Sequence, residues 1–333
     1  MAESDVSAER LKEVSSGIVS QLKEVIIGQD EAMAQVLTAF FAGGHCMITG
    51  VPGVAKTLLI ASLAEIMDLS FKRIQFTPDL MPSDITGTEI LEEDITSGRR
   101  ELRFVKGPIF ANIVMADEIN RTPPKTQAAL LEAMQEKQVT MGGRTYRLEE
   151  PFFVLATQIP FEQEGTYPLP EAQQDRFMFS VLMDYLVEDD EVEVIKRSTG
   201  WGGVALKAVL SEEQLLAYQD LILKVEVPPA LVEYTVELVS SSRPNDGRAP
   251  DFVKEYIIWG AGLRASQYIT LGAKSRAAMS GRMTVTPEDI RAVLAPVMRH
   301  RIGLSFRADV DRVTVEDLIS RLVEHMPVPA AAG

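Results

Sequence analysis

The sequence predicts an α/β protein in which a doubly wound, mostly parallel β-sheet is followed by an all-helical C-terminal domain. Three observations predict this fold class. Short strand-like apolar runs alternate with helical stretches up to about residue 184, a glycine-rich turn joins the first run to a helix, and beyond residues 188–193 only helical spacing remains. Ligands of such sheets bind at the carboxyl ends of the strands.

Size, charge and cysteine content exclude several classes of protein. The chain has 333 residues with 46% hydrophobic content, enough for two domains with buried cores. No apolar run approaches the roughly eighteen residues of a membrane span, and residues 1–30 lack a signal peptide pattern. The single cysteine, Cys46, predicts no disulfide framework and a cytoplasmic location. A net charge of −15 without a basic block argues against general nucleic-acid binding.

Helices and strands alternate through the first 186 residues, which we predict form one domain. Amphipathic spacing predicts helices over 5–26 and 31–41, and further helices over 58–67 and 126–136. Strand-like runs occur at 46–49, 71–76, 112–116, 152–157 and 177–183. Cys46 therefore falls in a predicted buried strand.

Two segments interrupt this alternation. Residues 82–107 contain β-like arms at 88–91 and 102–105 around a charged tip at 94–100. A second hairpin, at about 138–148, turns at Gly142-Gly143. Charged tips are usually solvated turns, and contact with a partner is the open alternative.

The second half of the chain reads as a linker followed by a helical domain. An acidic patch and Gly200-Trp201-Gly202-Gly203 predict a linker over 187–210. Six helices are predicted within 211–325, at 211–225, 229–242, 252–260, 266–280, 287–298 and 314–325. Residues 326–333 are predicted to be a disordered tail.

The most informative motif lies between the first strand and its helix. It reads Gly50-Val51-Pro52-Gly53-Val54-Ala55-Lys56-Thr57, followed by Leu58, and all nine residues are predicted to bind nucleotide. Such a loop points backbone N–H groups and the positive helix end at phosphates, while Lys56 reaches the terminal phosphates and Thr57 offers a hydroxyl to Mg²⁺. The alternative is a turn that only joins a strand to a helix. Ala55 stands where glycine is usual, which is tolerable if its φ is negative.

A second motif about sixty residues later supports the nucleotide interpretation. The apolar run 113–116 ends in Asp117-Glu118. Asp117 is placed to hold the water shell of the metal ion, and Glu118 to polarise an attacking water. The two motifs together predict a nucleoside triphosphate site that uses Mg²⁺.

At these motifs the chain resembles the MoxR family of AAA+ ATPases, from Gly28 to about Arg307. The resemblance rests on Gly-Val-Pro-Gly-Val-Ala-Lys-Thr (50–57), Phe-Thr-Pro-Asp-Leu-Met-Pro-Ser-Asp-Ile-Thr-Gly (76–87), Ala-Asp-Glu-Ile-Asn-Arg (116–121), Ala-Leu-Leu-Glu-Ala-Met-Gln-Glu (129–136) and Leu-Pro-Glu-Ala-Gln-Gln-Asp-Arg-Phe (169–177). It implies an αβα core with an insert in helix 2 and a hairpin before the sensor-1 strand, an all-α lid, and rings, commonly hexamers, with ATP at subunit interfaces. Implied partners are client proteins or von Willebrand factor A-type proteins.

The resemblance also implies roles for residues outside the two motifs. Arg176 would be the arginine finger offered to the neighbouring subunit's γ-phosphate, with Lys56 and Glu118 acting in the same reaction. Arg264 would be the sensor-2 arginine that touches nucleotide bound to its own subunit. Gly28-Gln29 would flank the adenine.

One departure from the family pattern concerns the sensor-1 position. The family reads Ala-Thr-Gln-Asn-Pro, and this chain has Ala-Thr-Gln-Ile-Pro at 156–160. Isoleucine has no amide to orient the attacking water, so we expect slow hydrolysis. Thr157 and Gln158 are the candidates to replace the missing amide of Ile159.

The resulting functional prediction is a ring-forming, Mg²⁺-dependent ATPase that converts ATP to ADP and phosphate and remodels or matures partner proteins. An ATP-gated assembly scaffold with little hydrolysis is the first alternative, and Ile159 favours it. A chelatase-like motor subunit is the second. Lys56, Asp117, Glu118, Arg176 and Arg264 are all retained, which favours real hydrolysis.

Overall fold

The computed structural model describes residues 6–93, 100–159, 165–198 and 205–329. Several predicted features lie outside the described residues. These are most of the charged hairpin tip (94–99), Pro160 of the sensor-1 motif, the Gly-Trp-Gly-Gly stretch at 200–203 and the end of the tail at 330–333.

The described residues contain short strands and helices in alternation, then mostly helices. The strands are β1 (Cys46–Gly50), β2 (Phe71–Gln75), β3 (Gly87–Glu93), β4 (Arg100–Lys106), β5 (Ile113–Asp117), β6 (Gln138–Met141), β7 (Arg144–Arg147), β8 (Phe153–Gln158), β9 (Phe179–Met183), β10 (Ile257–Trp259) and β11 (Gly303–Leu304). The helices are α1 (Ala8–Val25), α2 (Asp30–Phe41), α3 (Lys56–Ile66), α4 (Pro82–Thr86), α5 (Pro124–Glu136), α6 (Glu171–Gln174), α7 (Glu188–Ser198), α8 (Glu212–Leu223), α9 (Pro229–Ser241), α10 (Asp251–Tyr256), α11 (Leu263–Met279), α12 (Pro287–Met298), α13 (Phe306–Asp311) and α14 (Val315–His325).

Five of these strands form the central sheet in the order β2-β5-β8-β1-β9, and every pairing in it is parallel. Strand β5 is buried along its whole length, and Cys46 is buried at the start of β1. Parallel strands covered by helices on both faces read as continuous apolar runs, which is why sequence pattern located them. The predicted doubly wound parallel sheet is confirmed.

Two hydrophobic cores lie against the sheet. The larger one runs without interruption from α1, α2 and α3 through one face of the sheet into the C-terminal helices. The smaller one packs α5 and neighbouring segments on strands of the sheet, with Phe76, Leu131 and Phe177 fully buried. Helix α11 approaches the sheet closely at Gly272, where a Cβ would lie 3.0 Å from the Phe179 ring. The C-terminal helices therefore share a core with the sheet domain.

Both predicted hairpins are present. Strands β3 and β4 pair from Gly87 opposite Lys106 to Glu93 opposite Arg100. Strands β6 and β7 are joined by Gly142-Gly143, and both glycines have the positive φ that a two-residue hairpin turn requires (57° and 77°). The Phe104 ring of the first hairpin stacks on Tyr146 of the second with centroids 4.2 Å apart. The two insertions therefore contact each other.

The structure differs from the sequence-based elements in several places. Residues 188–198, predicted as linker, form α7, because its acidic first turn and basic last turn suit the helix dipole. The predicted helix 252–260 ends at Tyr256, since the β-branched and aromatic residues of β10 pair antiparallel with β11. Short helices α4, α6 and α13 were also not predicted. No helix among the described residues is long and apolar enough to cross a membrane.

Candidate nucleotide-binding site

A cavity of about 420 Å³ lies where the glycine-rich loop meets the carboxyl ends of β5 and β8. Its walls are Pro52, Gly53, Ala55, Lys56, Thr57, Leu58, Asp117, Glu118, Thr157, Gln158 and Ile159. These residues come from three segments far apart in sequence, and the parallel sheet brings them together because the strands end at one edge. Both predicted motifs and the sensor-1 segment thus line one cavity.

The loop conformation is set by residues with positive φ. Gly53 has φ 90°, and Ala55, the residue before α3, has φ 64° and ψ 22°. The condition of a negative φ at Ala55 is therefore not met, and the left-handed conformation costs an L-residue about 1–2 kcal/mol. Gly50 is required by space, since a Cβ there would lie 2.3 Å from the Met183 carbonyl oxygen. No side chain caps α3 at Ala55, so its first N–H groups face the cavity end of the loop.

Lys56 is folded back onto its own loop. Its Nζ donates to the Gly50 carbonyl oxygen at 2.5 Å. Partial burial lowers the pKa of Lys56, and the nearby carboxylates of Asp117 and Glu118 oppose that shift. The ammonium is thus within electrostatic reach of both acids.

Asp117 is held from two sides. Thr157 Oγ1 donates to Asp117 Oδ1 at 2.6 Å. The Arg73 guanidinium pairs with Oδ2, with Nε at 3.1 Å and Nη2 closer still. The Asp117 carboxylate, which is predicted to act in metal binding, is therefore already paired with the Arg73 guanidinium.

Glu118 has a left-handed backbone (φ 56°) that turns its side chain into the site. Its backbone N–H donates to Thr157 Oγ1 at 2.8 Å. Its carboxylate oxygen Oε2 accepts from Gln75 Nε2 at 3.2 Å and from Arg121 Nη1 at 2.9 Å. The predicted base is thus restrained by two donors.

Sequence reasoning did not identify Arg73, Gln75 or Arg121. Two of them lie on β2, where Gln75 is opposite Asp117 in the parallel register and Arg73 shares its face two residues earlier. The signal available in the sequence was a pair of polar residues, Arg73 and Gln75, two positions apart in a predicted strand. The sequence does not show that this strand pairs with β5, so the contact with the acidic motif could not be predicted.

The structure separates the two candidates for replacing the sensor-1 amide. The Thr157 side chain is buried, and its hydroxyl already donates to Asp117 and accepts from the Glu118 N–H. Gln158 and Ile159 line the cavity. Asn120 fixes the backbone of Ile159 through two 3.2 Å bonds, one to its N–H and one to its carbonyl. Gln158 is therefore the residue whose amide is available at the strand end.

Three residues of the predicted loop, Gly50, Val51 and Val54, are not among those that line the cavity. Four predicted site residues outside the loop do not line it either. Gln29 donates to the Asp184 carbonyl oxygen at 2.9 Å, and the adjacent Gly28, with φ 71°, packs against α7. Arg264, in the first turn of α11, pairs with Asp175, and the Arg176 carbonyl accepts from Tyr268. The nucleotide contacts proposed for these four residues stay predictions.

Comparisons with known proteins agree with the site. Residues 45–179 match the ATPase family associated with various cellular activities (AAA), and residues 252–322 match the AAA lid domain. The chain is 42% identical to Chaperone MoxR1 of Mycobacterium tuberculosis over 93% of this chain and 81% of that protein. It is 31% identical to Protein MoxR of Methylorubrum extorquens, with 93% of each chain covered.

A solved structure is similar over nearly the whole chain. The crystal structure of a putative ATPase from Cytophaga hutchinsonii matches with a TM-score of 0.89 and 40% identity, covering 97% of both chains. The glycine-rich loop and the Asp-Glu motif lie within the matched residues 45–179, and helices α11 and α12 lie within the matched residues 252–322. This chain belongs to the MoxR family of AAA+ ATPases.

Proposed function

We propose that this protein is a Mg²⁺-dependent ATPase that hydrolyses ATP to ADP and phosphate and uses the reaction to remodel or mature partner proteins. The observation that carries the proposal is the convergence of Lys56, Thr57, Asp117 and Glu118 on one cavity at the start of α3. These groups supply the four tasks of phosphoryl transfer to water: phosphate binding, metal binding, charge compensation and activation of the nucleophile.

The donor atoms of the cavity suit Mg²⁺. The Thr57 hydroxyl is a hard oxygen ligand, the type that Mg²⁺ prefers, and the Asp117 carboxylate would hold the water shell of the ion; both residues line the cavity. A bound Mg²⁺ would supply positive charge against the charge that develops on the phosphates. Thr157 orients the Asp117 carboxylate for this role by donating to its Oδ1.

The remaining residues act on the phosphates and the water. The N–H groups at the start of α3 bind phosphate oxygens, and Lys56 exchanges the Gly50 carbonyl for the terminal phosphates. Glu118 polarises the attacking water once its carboxylate leaves Gln75 or Arg121. Gln158 orients that water in place of the amide missing at Ile159, which makes turnover slow rather than absent.

Assembly completes the site in this proposal. Rings, commonly hexamers, bring Arg176 of one subunit to the γ-phosphate held by the next. Among the described residues no hydrogen bond or ion pair engages the Arg176 guanidinium, as suits a group whose partner lies on another chain. The stacked hairpins pass motion to a client or to a von Willebrand factor A-type partner, and the cytoplasm is the proposed location. The name of the relative Chaperone MoxR1 supports the remodelling role.

The test is steady-state phosphate release from Mg²⁺-ATP over a range of protein concentrations. We expect turnover that rises with concentration, disappears in Glu118→Gln and increases in Ile159→Asn, whose backbone bonds to Asn120 are retained. Tight ATP binding without turnover, restored by Ile159→Asn, would instead identify the ATP-gated scaffold that Ile159 favours. Stimulation only by a porphyrin-handling partner would favour the chelatase-like subunit.

A further inference from the structure

Asp175 joins two arginines of the lid to the segment that carries Arg176. Its Oδ1 accepts from Arg301 Nε at 2.7 Å, and its Oδ2 accepts from Arg264 Nη1 at 2.7 Å. Asp175 immediately precedes Arg176 in the turn that ends α6. One carboxylate therefore contacts the predicted sensor-2 arginine and is the chain neighbour of the predicted arginine finger.

The Arg301 half of this junction is built as a fixed anchor. All of its guanidinium nitrogens donate: besides Asp175 Oδ1, they reach the carbonyl oxygens of residues 175, 177, 178 and 297. The side chain is only 2% exposed and lies over the Tyr268 ring. The neighbouring His300 contacts the Phe177 carbonyl at 3.1 Å. The turn after α12 thus holds the backbone that follows Asp175.

The Arg264 half has the properties of an exchangeable contact. The Arg264 side chain is 39% exposed and the Asp175 side chain 32% exposed. A partly exposed ion pair contributes little to stability, and a polyphosphate competes well for a guanidinium because it accepts bidentate hydrogen bonds and carries several negative charges. Arg264 can leave Asp175 without loss of the Arg301 anchor.

We propose that Asp175 is a positioning residue that links occupancy of a subunit's own nucleotide site to the Arg176 it presents to its neighbour. Without nucleotide, Asp175 holds Arg264 and so ties the start of α11 to the turn at Arg176. With nucleotide, Arg264 moves to the phosphates, and Asp175 keeps Arg301 alone. The position of Arg176 then depends on the subunit's own ATP, which makes turnover cooperative in ATP. This inference rests on the proposed function for the roles of Arg264 and Arg176.

The first test is a double-mutant cycle on ATP affinity, measured with Glu118→Gln as background so that no ATP is consumed. Asp175→Asn keeps an acceptor for Arg301 and frees Arg264, so ATP is expected to bind about twofold to fivefold more tightly, the gain set by a partly exposed ion pair. In an Arg264→Ala background the same substitution is expected to have no effect. An equal gain in both backgrounds would show that Asp175 does not act through Arg264.

The second test is cooperativity. The Hill coefficient of phosphate release against ATP is expected to fall to about one in Asp175→Asn and to stay at the wild-type value in Glu316→Gln. Glu316 pairs with Arg299 of the same turn, so this control neutralises a lid carboxylate without touching Arg264. A wild-type Hill coefficient in Asp175→Asn would overturn the proposal. Failure of the wild type to release phosphate would refute the proposed hydrolysis, while the binding cycle would still test Asp175.

A third measurement does not depend on the fold of any Asp175 variant. Hydrogen exchange of the backbone around 173–177 is compared with and without ATP in Glu118→Gln. ATP is expected to speed exchange there, because the Arg264 contact is released, and to have no such effect when Arg264→Ala is added. Unchanged exchange on saturation with ATP would contradict the release of Asp175.

Discussion

The two acids of the cavity are each restrained by a polar side chain from the edge strand β2. Arg73 pairs with Asp117, and Gln75 donates to Glu118. If Asp117 takes part in Mg²⁺ binding as proposed, the Arg73 guanidinium must move or share the carboxylate when the cation binds. The internal ion pair would then compete with the metal ion.

Removal of the Arg73 charge is expected to ease metal binding. In Arg73→Gln the Mg²⁺ concentration that gives half-maximal turnover should fall about twofold to fivefold, because a partly exposed ion pair contributes about 1 kcal/mol or less. The measurement is phosphate release at saturating ATP over a Mg²⁺ titration. Lys72→Gln is the matched control, since Lys72 makes the same charge change on the opposite face of β2.

An unchanged or higher Mg²⁺ requirement in Arg73→Gln would contradict this prediction and assign Arg73 a part in organising the site. A shift of equal size in Lys72→Gln would mean that only the net charge of the strand matters.

At the scale of elements, local patterns located the motifs and most of the sheet. Sequence patterns predicted the loop 50–57, the Asp117-Glu118 pair and the strands. Each is a continuous segment, so its residue types alone indicate its chemistry or its burial. Helix α7 was missed because its polar composition resembles a linker, and β10 because it continues directly from a helix. The contact of Arg73 with Asp117 was beyond sequence reasoning, since 44 residues and a strand pairing separate them.

His45 connects three elements from a half-buried position before β1. Its Nδ1 accepts the Val154 N–H of β8 at 3.0 Å, and its Nε2 lies 3.4 Å from the Met134 carbonyl of α5. Burial lowers the pKa of His45 to about 4, with Lys137 adding to the effect and the Met134 carbonyl opposing it. The neutral ring is therefore the form that fits the fold.

This burial predicts a pH-dependent stability. The folded pKa lies below the unfolded value of 6.5, so the unfolded chain binds the proton first and stability falls as the pH drops from 6.5 towards 4. Between pH 7.5 and pH 5 the His45 contribution should decline by about 2 kcal/mol. Urea unfolding at both pH values, compared with His45→Gln, isolates this change, because the variant lacks the titrating ring but retains a donor and an acceptor. A difference between the two proteins that stays constant with pH would contradict it.

At the scale of the whole molecule, the lid and the sheet domain are packed through one continuous hydrophobic core. Polar contacts add to it. Ser275 and Gln219 donate to carbonyl oxygens of α2, and the carbonyl oxygens of segment 175–180 accept from the turn 299–301. These contacts tie the lid to the backbone beside Arg176. In the ring proposed above, that backbone would carry the effect of one subunit's nucleotide to the next subunit.

The assembly of sites from two chains can be tested by mixing two inactive variants. Arg176→Ala keeps an intact Lys56 and Glu118 but offers no finger, and Glu118→Gln offers a finger but has no base. Each alone is expected to release negligible phosphate. Co-assembled in equal amounts, roughly one interface in four joins an intact cavity to an intact finger if subunits mix at random, and phosphate release should reappear.

The matched control mixes Glu118→Gln with Lys56→Met. No interface in that mixture contains both Lys56 and Glu118 in one cavity, so it is expected to stay inactive whatever the arrangement of subunits. Rescue in this control would mean that activity does not come from a completed cavity. No rescue with Arg176→Ala, in rings shown by mass to contain both variants, would place Arg176 in its own subunit's site, because a finger that acts within one chain cannot be supplied by a neighbour.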